Sequence, residues 1–127
     1  MKPVFKKPSI CEKHIKETLA FPPFIMMENA ASALENAVLN EWNKGSYNSV
    51  LIISGKGNNG ADGLALARKL FGKIPVFVYC PELPQTEEGS VQSLMAKKLK
   101  IPFLSYNKLN EILKSKTENI FVEIYLN

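Results

Sequence analysis

Apolar positions along this chain recur with two different periods, and the alternation between them outlines a fold. Met26, Ala30, Ala33, Leu34, Ala37, Val38 and Trp42 fall at helical spacing, which predicts an amphipathic helix ended by Gly45. The alanines between Ala30 and Ala37 leave room for a close neighbour. The run Val50-Leu51-Ile52-Ile53 within 49–54 is continuously apolar, as a strand covered on both faces requires. After a glycine-rich loop over 55–60, Leu64, Ala67, Leu70 and Phe71 form the inner face of a second helix with Gly72 at its C′ position.

The alternation then repeats. Val76-Phe77-Val78-Tyr79 predicts a buried strand, and a helix over roughly 86–100 is expected to turn Val91, Leu94, Met95 and Leu99 inward, with Glu87 and Glu88 favourably placed at its N-terminus. A short strand over 101–104 follows. Asn107 can cap a helix through Lys116 with Leu109, Ile112 and Leu113 inward, and 120–126 reads as a last strand. Upstream, Ser9 can cap a short polar helix that Pro22 and Pro23 stop. Strands alternating with helices at this spacing predict one α/β domain over residues 1–127: a three-layer α/β/α, Rossmann-like sandwich with a mainly parallel sheet. The last strand has no following loop or helix, so the sheet is expected to be incomplete at its C-terminal end.

Composition narrows the class without changing the picture. At 127 residues and 46% hydrophobic, the chain can bury a modest core. Its net charge of +4 comes from lysines scattered over several segments, the pattern of a solvated basic surface more than of a nucleic-acid face. The first residues contain no apolar run of secretory length, and the apolar stretch around Pro75 is far too short to cross a bilayer. Cys11 and Cys80 are far apart and in no metal-like spacing, which suits reduced thiols. A cytoplasmic setting is expected, with no membrane partner. His14 stands alone on the polar N-terminal helix, where nothing orients it as a base.

The chemistry concentrates in Ser54-Gly55-Lys56-Gly57-Asn58-Asn59-Gly60-Ala61-Asp62-Gly63. Glycines let the backbone turn sharply and approach a ligand, while the helix N-terminus presents unpaired N–H groups suited to phosphate. Gly55, Gly57 and Gly60 match G-x-G-x-x-G formally, and Glu82 lies about where dinucleotide folds keep a ribose-binding acid. Asn58 and Asn59 are unusual inside that pattern. Asp62, expected in the first helical turn, would repel a pyrophosphate set directly there. Two amides and a carboxylate suit hydrogen bonds to nucleotide hydroxyls and phosphate edges, together with oxygen ligation of a hard cation. No Gly-Lys-Ser/Thr follows Gly60, which excludes the phosphate loop of nucleotide triphosphatases. The structural alternative is a turn capped by asparagine and aspartate without a ligand.

Met27-Glu28-Asn29-Ala30, followed by Val50 through Gly63 and Ala67-Arg68, resembles the NAD(P)HX epimerase family, also called the YjeF N-terminal domain. The likeness covers nearly the whole chain. It implies a commonly dimeric domain that interconverts the R and S epimers of hydrated NADH and NADPH, NADHX and NADPHX, for a dehydratase that in many bacteria is fused behind it. Asn58, Asn59, Gly60, Ala61 and Asp62 are the implied substrate-contacting residues, and Asn59 an implied ligand of a potassium ion. Two departures stand out. Ala61 replaces the second of paired glycines, and Glu123 replaces a strand-end aspartate that ligates potassium. The family's later Asp-x-Pro-Ser-Gly segment, which carries the aspartate expected to handle protons, has no counterpart, so no catalytic residue is assigned within these residues. Glu28 and Asn29 are read as a brace for the loop or a dimer contact, with simple helix packing as the equal alternative. Relatives of the fold also serve as scaffolds in RNA decapping, which keeps a noncatalytic binding or dimerisation module as a second reading; a nicotinamide dehydrogenase is a third.

Overall fold

The computed structural model describes residues 23–114 and 121–126. The expected helix over 9–20, with His14 and Cys11, lies outside them. Helix α1 (Pro23–Lys44) leads to strand β1 (Ser49–Ser54), helix α2 (Asn58–Leu70), strand β2 (Val76–Tyr79), helix α3 (Glu87–Lys98), helix α4 (Tyr106–Lys114) and strand β3 (Phe121–Leu126). The fold is α/β and Rossmann-like, as the alternating periods predict. All strand pairings are parallel, in the order β2-β1-β3. Parallel neighbours need a crossover, and α2 supplies the one between β1 and β2.

The core forms where β1 meets the helices. Val50 and Ile52 pack with Leu34 and Val38 of α1, Leu64, Leu66, Ala67 and Leu70 of α2, and Val76 and Val78 of β2. Leu51, on the opposite face of the strand, is fully buried as well, so both faces of β1 are covered. A smaller cluster of Met27, Ala31, Ala61 and Ala65 brings α1 against the start of α2. Alanine at three of those four places permits the close approach. The buried stripe of α1 runs Met27, Ala31, Leu34 and Val38, about one residue round from the predicted one, and leaves Ala33 exposed.

Several other expectations shift. In α3 the buried residues are Gly89, Gln92, Ser93 and Ala96, while Val91, Leu94 and Leu99 are exposed. Small residues let α3 approach α2, and Gln92 finds polar partners there, so the less apolar face turns inward. Phe71, placed on the inner face of α2 by its spacing, is exposed because the helix ends at that residue. The segment 101–104 contributes a single bridge, Phe103 to Val78, made by Val78 N–H to the Pro102 carbonyl at 2.9 Å and Leu104 N–H to the Val78 carbonyl at 2.7 Å. Pro102 has no N–H to extend that ladder. The cap of α4 is Ser105, whose Oγ accepts the Lys108 N–H at 3.2 Å, instead of Asn107. Leu109 is buried, and Ile112 and Leu113 are half-buried. Gly72 takes the left-handed C′ position as expected, with φ +90°. Among the described residues no helix is long and apolar enough to cross a membrane.

Candidate functional site

Strand β1 connects through α2 to β2 on one side and pairs with β3 on the other, so the chain direction switches at the carboxyl ends of β1 and β3. Ligands of open α/β sheets bind at such a point. The glycine-rich segment occupies it. Its helix starts earlier than expected: α2 begins at Asn58, with Gly57 as an N-cap that offers no side-chain bond. The first helical bond runs from Ala61 N–H to the Gly57 carbonyl at 3.2 Å. The N–H groups of Asn58, Asn59 and Gly60 therefore precede the helix's own ladder and face the ligand end.

Gly60 is where closeness is required. A β-carbon there would stand 1.8 Å from the Gly55 carbonyl oxygen, so the first turn of α2 rests directly on the strand end. Asn59 in that turn is half-buried. Ala61 faces α1 in the cluster with Met27, Ala31 and Ala65. Asp62 is 1% exposed and engaged within the protein. It lies beyond the first turn, which carries no acid. The repulsion expected between Asp62 and a phosphate on that turn is thereby reduced: the residue sits one turn deeper and is buried.

Glu123 was expected at a strand end. In the structure it pairs with Leu51, and β3 continues three residues to Leu126, which pairs with Ser54. That is roughly 10 Å of strand rise before the carboxyl end, at about 3.3 Å per residue. Glu82, in the loop after β2, is exposed and lies 3.8 Å from Lys56 of the glycine loop. Such a solvent-exposed pair contributes little to stability, and it marks the rim where the loops after β1 and β2 meet.

Two features escaped the sequence reading. One is a polar clasp at the far end of α2 from the loop: Arg68 and Lys69, in its last turn, both bond Glu28 of α1, Lys69 at 3.2 Å, while buried Gln92 of α3 donates to Glu28 at 3.3 Å and accepts from Arg68 Nε at 3.4 Å. Partial burial pushes the Glu28 carboxyl upward, but the bonds from Arg68, Lys69 and Gln92 outweigh it and hold the group below its usual range. Glu28 thus ties three helices together through the last turn of α2, which is the helix-packing reading of this residue and not a contact with the loop. Gln92 gave no signal, because a lone polar residue in a helix looks like surface. The other is Ser54, whose Oγ is buried without a hydrogen-bond partner among the described residues. A polar residue closing an apolar strand was its only mark.

An apolar groove lined by Phe71, Ile74, Pro75, Phe77 and Pro102 opens at the start of β2, the opposite end of that strand from the glycine loop. It offers no convergent polar groups and is not the candidate site.

The sequence profile of the family described as YjeF-related protein N-terminus matches residues 23–124, from the start of α1 into β3. The chain belongs to the YjeF N-terminal family. Among its YjeF N-terminal relatives, it is 38% identical over 113 residues to the bifunctional NAD(P)H-hydrate repair enzyme Nnr of Helicobacter pylori, a stretch covering 87% of this chain and 24% of that protein. It is 33% identical over 90 residues to the NAD(P)H-hydrate epimerase of Oenococcus oeni, covering 68% of this chain and 42% of that one. The NAD(P)H-hydrate epimerase of Levilactobacillus brevis is 32% identical over 107 residues, 82% of this chain and 48% of that protein. The chain therefore spans less than half the length of each of these YjeF N-terminal proteins.

Proposed function

We propose that this chain carries the nucleotide-binding part of an NAD(P)H-hydrate epimerase site, one that takes NADHX and NADPHX as substrate. The observation that carries the reading is the first turn of α2: free of acid, pressed onto the Gly55 carbonyl, and set at the carboxyl end of the central strand. Names of the relatives supply the substrate class. In this reading the first-turn N–H groups hold phosphate, Asn58 and Asn59 position the nucleotide by hydrogen bonds, and Gly60 and Ala61 allow the close approach. Asp62 acts from the second turn as a buried charge that fixes the helix start. The proton-transfer group of the epimerisation is assigned to none of these residues.

A potassium ion fits the donor chemistry. Among the described residues no group of three or more His, Cys, Asp or Glu could hold a metal ion, so any cation site would have to draw on other oxygens. The strand-end region offers neutral oxygens, which suit a weakly held hard cation. Asn59 is the proposed ligand; Glu123 lies three residues short of the carboxyl end of β3 and is not proposed as one. The ion would supply positive charge near the bound substrate. Further parts of the proposal are a homodimer, a cytoplasmic setting and a dehydratase as functional partner.

The test is thermal protection. NADHX is expected to raise the unfolding midpoint by several degrees at concentrations where plain NADH does little, and potassium to strengthen that effect relative to sodium. Protection by NADH with none by NADHX overturns the assignment. If Asn59→Ala retains the full potassium effect, the proposed ligand is wrong.

A further inference from the structure

Ser54, 1% exposed, ends β1 with a buried hydroxyl that meets no hydrogen-bond partner among the described residues. Native folds pair nearly all such groups, so an exception points to a partner from outside the fold, a water, an ion or a ligand. Strand alternation sends Ser54 to the same face as Val50 and Ile52, which pack against α2. The side chain thus points beneath the start of that helix. Above it the chain passes through Gly55-Lys56-Gly57 into the first turn, whose N–H groups receive no side-chain cap. Ser54 also pairs with Leu126, at the switch point between β1 and β3.

We propose that Ser54 is a further substrate-contacting residue, its hydroxyl donating a hydrogen bond to a phosphoryl oxygen of the bound nucleotide while the first-turn N–H groups of α2 hold the same group. This deepens the epimerase-type reading and rests on it for the identity of the nucleotide. The chemistry suits the place. A serine hydroxyl donates to an anion without bringing a further charge to the region of the buried Asp62 carboxylate of α2. The nearby cation, Lys56, is exposed and faces Glu82, so neutral donors and the helix N-terminus carry the anion.

The experiment compares the unaltered chain with Ser54→Ala by calorimetric titration with ADP-ribose, which has the pyrophosphate but no pyridine ring, and with NADHX. Ligand-free unfolding midpoints are measured in parallel. Ser54→Ala is expected to weaken both ligands by about tenfold or more, the loss of one hydrogen bond to a charged group. Its ligand-free midpoint should stay level or rise, because the substitution removes an unpaired buried hydroxyl. Equal affinity for ADP-ribose overturns the proposal, and so does a lowered ligand-free midpoint, which would mark Ser54 as structural. An unaltered chain that binds ADP-ribose in a Ser54-dependent way but ignores NADHX sinks the epimerase reading alone. One that binds neither ligand overturns the Ser54 contact as well.

Discussion

A β-carbon on Gly60 would lie 1.8 Å from the carbonyl oxygen of Gly55 and 2.6 Å from its carbonyl carbon, so these two residues meet backbone to backbone. Neither neighbour is a flexible side chain that could swing away. Gly60→Ala is therefore expected to push α2 off the end of β1 and to destabilise the fold by roughly 1–3 kcal/mol or more. Urea unfolding measures this, and nucleotide binding should fall with it. An unchanged midpoint would show that the contact is not obligatory.

The Glu28 clasp predicts a pH signature. Its carboxyl is held below the usual value of about 4.5 in the folded chain. A depressed carboxyl contributes stability that is fully present above its unfolded value and is lost as pH falls through the folded one. Glu28→Gln should destabilise the chain at neutral pH by roughly 0.5–1 kcal/mol, a figure already reduced for solvent screening of a partly exposed group. The gap between the two proteins should close as pH drops below about 4.5. A gap that stays constant across that window would remove Glu28 ionisation from the account.

The orientation of α3 can be tested by a pair of opposite changes. Leu94 is 56% exposed and Ala96 fully buried. Leu94→Ser is expected to alter stability by no more than about 0.5 kcal/mol. Ala96→Leu, which the apolar spacing alone would tolerate, should cost roughly 1–3 kcal/mol by overpacking the contact with α2. Reversed outcomes in chemical denaturation would restore the face first expected from the sequence.

Lys100 offers a gain. It follows α3 with φ 62°, in the left-handed region, while Ile101 N–H bonds the Ala96 carbonyl at 3.2 Å to close the helix. A lysine there bears steric strain that glycine lacks. Lys100→Gly is expected to raise stability by about 0.5–1 kcal/mol, with the unfolded-chain entropy of glycine offsetting part of the relief. A loss of stability in thermal unfolding would place the value of the site in the lysine side chain.

By itself the sequence determined the order and type of the elements from α1 to β3 except over 101–104, where a single bridge stands in place of the expected strand, together with the position of the glycine loop at a strand-to-helix turn, and the family. Each of these depends on local periodicity, on residues with restricted backbone geometry, or on a contiguous motif, all of which are properties of neighbours along the chain. Only the tertiary structure decided which face of α3 turns inward, that Asp62 is buried one turn deeper than expected, that Glu123 lies beside Leu51, and that the Ser54 hydroxyl has no hydrogen-bond partner among the described residues. Burial depends on what meets a residue across space. Gln92 is interior because Arg68 and Glu28, on two other helices, satisfy its amide, and Leu94 is outside because the small residues next to it make the closer contact with α2. No periodicity within α3 encodes those partners.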